Sequence, residues 1–148
     1  MSKRKTFAFD AATGLPKRLP AQAALTSTGY VGTQLDQGAA TATDMVLVMN
    51  IESIVTNGGT GETYNFAVLG SNLANRSDCE LLGQITLGAA AIVGTTRETR
   101  SAIATDRIVL PFRTEKNDTR FRYVDLRMIV AGTAPSIGFN AYMTAEVG

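Results

Sequence analysis

The stretch SIGFNAYMTAEV, residues 136–147, alternates between two kinds of side chain over its whole length. One set is entirely apolar: Ile137, Phe139, Ala141, Met143, Ala145 and Val147. Successive side chains of a β-strand point to opposite faces, so a period of two separates the faces cleanly. The stretch therefore predicts a strand in a sheet that has one buried face.

The same reasoning, applied towards the N-terminus, predicts further strands at residues 45–51, 63–69, 80–87, 107–114 and 120–131. Residues rich in Gly, Asn, Asp and Pro separate them, at 57–61, 70–78, 115–118 and 132–136. The first two strands are predicted to pair as a hairpin. Pro111 predicts a sheet edge or a bulge, because proline cannot donate to a strand ladder.

These strands predict an all-β protein, a single jelly-roll or Greek-key β-sandwich spanning residues 45–148. Residues 1–44 are expected to form an extended N-terminal arm, because they lack a sustained period and Pro16 and Pro20 forbid a continuous helix. The apolar residues scattered through this arm either dock into grooves of a neighbouring molecule or pack on the domain's own sheet.

The composition excludes several classes of function. The 148 residues include no histidine, which removes the usual general base near neutral pH and the commonest transition-metal ligand. No enzyme activity, cofactor or metal is expected. The net charge of +1 gives no general attraction to nucleic acid, and no run approaches the length of a membrane span. Without a signal-peptide pattern, and with Cys79 as its one cysteine, the chain is expected to be made in a reducing cytoplasm.

Individual candidates for chemistry have simpler interpretations. The glycine-rich stretch at 57–62 lacks the Lys-Ser/Thr ending of a phosphate loop and is better read as a hairpin turn. Asp78 and Glu80 could form a carboxylate pair, but no base accompanies them, so solvated loop acids are favoured. Asp106 and Asp118 are read in the same way. Cys79 has no histidine to activate it, and a partly buried apolar role is expected.

Basic and aromatic residues are the best candidates for contacts with a partner. Those on the 120–131 strand mix cations with aromatics as RNA-binding sheets do, but Asp118 and Asp125 lie close by. Ion pairing between subunits or a solvated face is therefore favoured, and the basic residues of the arm suit either phosphates or an acidic protein surface. The candidate partner-binding residues are Lys3, Arg4, Lys5, Phe7, Phe9, Lys17, Arg18, Tyr30, Arg120, Arg122, Tyr123 and Arg127.

Three stretches together resemble one protein family: ETYNFAVLGS at 62–71, RFRYVDLR at 120–127 and GTAPSI at 132–137. The jelly-roll capsid cement proteins of tailed bacteriophages, which decorate the phage head, have an E-x-Y-x-F-x-V-x-G-S strand. An F-R-Y-V-x-L strand and a G-T-x-P-S-I turn into a final strand follow it. The resemblance covers residues 45–148, and the basic N-terminal region looks like the arm of such proteins without matching a motif.

The resemblance implies a structural virion protein on the outer capsid surface. Such a protein associates with itself as a homotrimer and binds the major capsid protein, bridging its subunits and stabilising the expanded shell. No nucleic acid, membrane or small-molecule substrate is expected as a partner. A sugar- or receptor-binding β-sandwich of a phage tail or cell surface remains the alternative, although the chain has no tryptophan to stack on sugar rings.

Overall fold

The computed structural model describes residues 15–56, 61–88, 99–101 and 106–145. Within these ranges the chain forms strands and no helix. The strands are β1 (Leu15–Arg18), β2 (Gly29–Thr41), β3 (Asp44–Ile54), β4 (Thr63–Ser71), β5 (Glu80–Gly88), β6 (Thr99–Ser101), β7 (Arg107–Arg113), β8 (Glu115–Lys116), β9 (Thr119–Ala131) and β10 (Ile137–Ala145).

The strands build two sheets that pack face to face. The first sheet has the order β1-β10-β3-β7, and the second has the order β2-β9-β4-β5-β6, with the short β8 paired to β9. Neighbouring strands are antiparallel, apart from the parallel pair of β5 and β6. The all-β sandwich predicted from the alternating sequence is confirmed.

The core lies between the sheets and is built from the predicted alternate positions. Strand β10 buries every second side chain from Ile137 to Met143, and β4 does so from Tyr64 to Val68. The rings of Phe66 and Phe139 meet across the core edge to face, with their centroids 5.1 Å apart. The contributions of β9 are Val124, Leu126 and Met128, with the partly buried Val130 packed against them.

The predicted hairpin of residues 45–51 and 63–69 is wrong. Strand β3 lies between β10 and β7 in the first sheet, whereas β4 lies between β9 and β5 in the second. The continuous apolar run of β3 explains the difference, because a strand inside a sheet can be covered on both faces. Met45, Leu47 and Met49 belong to the core, and Val46 and Val48 are fully buried in a second cluster with Tyr142.

Within the described residues the first strand of the sandwich is at Leu15, before the predicted boundary at Met45, and this region packs on the domain's own sheets, as one of the two alternatives predicts. Strand β1 pairs with β10 in one sheet, and β2 pairs with β9 in the other. Between them, the backbones of Leu25 and Ile137 exchange two hydrogen bonds. The apolar residues of this region explain the arrangement, since Val31 is a core residue and Leu35 packs against the core. Residues 1–14 of the expected arm lie outside the described residues.

Two local predictions agree with the structure. Lys116 pairs with Thr119 across a two-residue turn, and the central residues Asn117 and Asp118 have φ of 50° and 64°. Positive φ at both positions is the signature of a type I′ hairpin turn. Strand β7, which contains Pro111, pairs within the described residues with β3 alone and is an edge strand. The predicted turn at 57–60 lies outside the described residues.

Candidate interaction surface

The outer face of the second sheet carries three of the predicted partner-binding residues that the structure describes, namely Tyr30, Tyr123 and Arg127. Strand β9 crosses this face between β2 and β4, and its outward side chains run from Tyr123 to Ile129. Arg127 and Ile129 are exposed, as the mixed sequence of this face predicts. Phe121 differs from the prediction because its ring is buried against Gly70, where a Cβ atom would come within 2.8 Å of it.

A buried acid holds the centre of this face together. Asp125 is 3% exposed, and its two carboxylate oxygens accept hydrogen bonds of 2.9 and 3.0 Å from the guanidinium of Arg76. Gln34 of β2 donates a further bond of 2.9 Å to the same carboxylate. The hydrogen bonds that Arg76 donates to Asp125 raise the pKa of Arg76 above its usual value. This bidentate contact fixes the loop between β4 and β5 over the sheet.

The loop that presents Arg76 is itself ordered by polar side chains. Asp78 accepts backbone N–H bonds from Asn72 and Leu73, at 3.0 and 3.2 Å. Asn72 in turn joins the loop to β9, accepting from the backbone N–H of Arg122 and donating to the carbonyl of Arg120. No local pattern indicates the role of Arg76, because its partner Asp125 lies on a strand far along the chain.

Tyr30 is the exposed aromatic residue at the edge of this face. It lies opposite Arg127 in the register of β2 and β9 and remains 43% exposed. The guanidinium carbons of Arg76 and Arg127 lie 4.1 and 5.8 Å from the centre of its ring. Both distances are within the range of cation–π attraction. Tyr30 and Arg127 were predicted separately, and the structure brings them together.

The remaining basic residues of β9 form exposed ion pairs. Arg122 binds the carboxylate of Asp36 through two bonds of 2.8 and 3.0 Å, which lower the pKa of Asp36. Arg122 also lies 5.1 Å from the ring of Tyr123. Arg120 pairs with Glu115 at 3.3 Å. Exposed pairs of this kind contribute little to stability, so these residues remain available to a partner.

Lys17 and Arg18, predicted as partner-binding residues of an extended arm, are buried inside the domain. They are only 5% and 6% exposed. The Lys17 ammonium donates to the carbonyl oxygens of Thr33 and Val124, at 2.6 and 3.4 Å. The Arg18 guanidinium donates to the carbonyl oxygens of Phe139 and Ala23 and lies 5.1 Å from the Phe139 ring. These contacts join β1 and the connection after it to both sheets.

A groove opens beside these two cations. Its volume is about 420 Å³, and Lys17 and Arg18 form part of its wall. The other residues that line it are Leu19, Gln22, Leu25, Tyr30, Val31 and Gly32. The groove therefore reaches from the buried cations to Tyr30 at the edge of the outer face. The remaining predicted residues, Lys3, Arg4, Lys5, Phe7 and Phe9, lie outside the described residues.

The described residues contain no group of three or more His, Cys, Asp or Glu side chains that could hold a metal ion. Asp78 serves the loop backbone, and Asp118 lies in the tight turn before β9. Cys79 is exposed, so the prediction that it is partly buried is wrong.

No family model matches the chain, and no curated protein matches it. Among the described residues, no helix is long and apolar enough to cross a membrane.

Proposed function

We propose that this chain is a structural virion protein that binds the outer surface of a phage capsid. It acts as a trimer, contacts the major capsid protein and stabilises the expanded shell by bridging neighbouring subunits. Its place is the outer face of the virion, and it performs no catalysis.

The strand order of the two sheets is the observation that carries this proposal. Strands β1, β10, β3 and β7 face β2, β9, β4 and β5, and successive strands mostly cross from one sheet to the other. This wrapping supports a jelly roll, in which two Greek keys form two packed sheets. The stretches that resemble the cement proteins fall on β4, β9 and the turn into β10, and β4 and β9 pair along their length.

The distribution of polar groups also supports adhesion. The carboxylate of Asp125 is fully engaged, while the exposed Arg127 and Tyr30 offer a cation and an aromatic ring on a rigid sheet. Arginine and tyrosine are enriched at the centres of protein interfaces. Three linked copies would bind a capsid lattice multivalently, so weak single contacts would add to a firm attachment.

The test is reconstitution with expanded capsids that lack the protein. The purified chain should sediment with these capsids, saturate at a fixed ratio and raise the temperature at which they disrupt. Sedimentation equilibrium of the free chain should give three times the monomer mass. A monomer that neither sediments with capsids nor changes their heat resistance would overturn the proposal.

The alternative, a sugar- or receptor-binding module, has one observation in its favour. Tyr30 is exposed beside an open groove, and tyrosine rings can stack on sugars. Against it, two guanidinium groups already lie near that ring. A glycan array and adhesion to host cells test this function. Specific binding there, abolished by Tyr30→Ala, together with no binding to capsids, would favour the alternative.

A further inference from the structure

The groove beside β1 combines an apolar wall with buried positive charge. Leu25 and Val31 form its inner wall, and Leu19 and Tyr30, each more than two-fifths exposed, stand at its rim. Lys17 and Arg18 complete the lining. Its volume of about 420 Å³ falls in the usual range of ligand sites, roughly 300–1,000 Å³.

Neither cation has an anionic partner within the parts of the chain that the structure describes. The contacts of Lys17 and Arg18 are backbone carbonyls and one aromatic ring, and no carboxylate lies within ion-pairing distance of either. An ammonium has three N–H donors and a guanidinium has five. After these bonds, Lys17 has one N–H left and Arg18 has three.

The buried charge is only partly compensated. Burial lowers the pKa of Lys17 to about 8, and the negative charge of Asp125 opposes this shift without cancelling it. Both oxygens of Asp125 are already bound by Arg76, and Gln34 adds a further bond. A buried cation is costly unless an opposite charge accompanies it. An incoming carboxylate would supply that charge and accept the unused N–H donors.

We propose that this groove binds the carboxylate of an Asp or Glu side chain carried by a polypeptide segment of the partner, with apolar neighbours seated on Leu19 and Leu25. This inference rests on the proposed function and names the chemistry of the partner at one of its contacts. The positive charges of Lys17 and Arg18 favour an acidic group in the ligand. The apolar rim favours a segment of polypeptide over a free anion, because a free anion would leave Leu19 and Tyr30 in water.

A pair of peptides tests the site directly. The full chain, labelled with ¹⁵N, is titrated with acetyl-Leu-Asp-Leu-amide and with acetyl-Leu-Asn-Leu-amide, which differ in charge and hardly in shape. The Asp peptide should shift the backbone amide signals of Leu25 and Gly32 and bind about tenfold more tightly, the factor expected for charge-assisted hydrogen bonds. Equal binding of both peptides, or shifts away from the groove, would overturn the inference.

Charge changes at the exposed Gln22, which lines the groove, provide the second test. Gln22→Glu should weaken binding of the Asp peptide and of the capsid several-fold, whereas Gln22→Lys should keep or strengthen both. Gln84→Glu is the matched control, because Gln84 is exposed on β5, and β9 and β4 separate β5 from β2. The control should bind the Asp peptide like the natural chain, and thermal unfolding should show that all three variants are folded.

The two proposals fail in different ways. If the natural chain binds capsids and neither the Gln22 variants nor the peptides behave as expected, the acidic-segment site is wrong and the capsid function stands. If the Asp peptide binds selectively and capsids do not bind at all, the groove is an acidic-peptide site and the capsid function is wrong.

Discussion

Two groups of basic residues, similar in sequence, have opposite environments. Lys17 and Arg18 are buried and donate to backbone carbonyls, whereas Arg120, Arg122 and Arg127 lie on β9 with side chains that reach solvent. The first group joins β1 to both sheets, while the second pairs with surface acids or stacks on aromatic rings. A basic residue near a terminus therefore need not belong to a free arm, because its alkyl stem and its donors can both be used inside a fold.

The largest expected loss of stability comes from removing the N-terminal strands β1 and β2, which include Lys17 and Arg18. A chain that starts at Thr43 lacks β1 and β2 and leaves β10 and β9 without one neighbour each. It should lose its cooperative unfolding transition, because Val31 and the buried Lys17 contacts are lost together. Circular dichroism during heating measures this. A chain that starts at Leu15 is the control, since it keeps every described strand. A cooperative transition in the Thr43 chain would show that residues 15–42 are dispensable.

The buried lysine should make stability depend on pH. Its pKa of about 8 in the folded chain is below the usual 10.5, so between these values the unfolded chain binds more protons and stability rises with pH. Relative to Lys17→Met, the natural chain should gain up to about 3 kcal/mol from pH 7 to pH 10.5. Urea denaturation of both chains at each pH gives the difference between their free energies of unfolding. The contributions of the other titrating groups cancel in this difference. A difference that stays constant with pH would contradict the lowered pKa.

Removing the partner of the buried acid Asp125 on β9 should cause a smaller loss of stability. Arg76→Ala removes the bidentate partner and leaves the Asp125 carboxylate buried with Gln34. We expect a loss of about 1–3 kcal/mol in the free energy of unfolding, the usual cost of a buried group deprived of its partner. Arg76→Ala combined with Asp125→Asn should recover part of this loss, because the uncompensated charge is gone. Urea denaturation measures both, and failure of the second change to recover stability would contradict the explanation.

The smallest effect on folding should come from the exposed pair of Arg122 and Asp36. Both side chains lie at the surface, where solvent screens their attraction. The urea midpoint of Arg122→Ala should equal that of the natural chain within measurement error. The midpoint of the variant should also depend less on salt concentration than that of the natural chain. If Arg122→Ala instead destabilised the fold as much as Arg76→Ala, the contrast between buried and exposed cations would be lost.

The strands were predictable, but their partners were not. The alternation of β10 and β4 depends on each strand's own residues, and the predicted inward positions from Ile137 to Met143 are buried. The hairpin of β3 and β4 was wrong because both strands are apolar enough to pair with several neighbours. The choice among them depends on contacts distant in sequence, such as β3 with β10.

The candidate surface was only half predictable. Arg122, Tyr123 and Arg127 could be selected from the sequence because cations and aromatics mixed along one strand are a local pattern. Tyr30 could be selected because it is an aromatic residue in a stretch without a sustained period. Arg76 and Asp125 could not be joined, since their contact depends on how the loop between β4 and β5 folds over β9. The groove was equally hidden, because its wall combines β1, β2 and the connection between them.

The sequence by itself determined that the chain forms β-strands with one apolar face, that a tight turn precedes residues 120–131, and that histidine-dependent chemistry is absent. These properties depend on single residues or on a period of two, which are local. Only the tertiary structure decided that residues 15–41 belong to both sheets and that Lys17 and Arg18 are buried beside an open groove. Burial of a charge depends on everything packed around it, and those neighbours come from strands far apart in the chain.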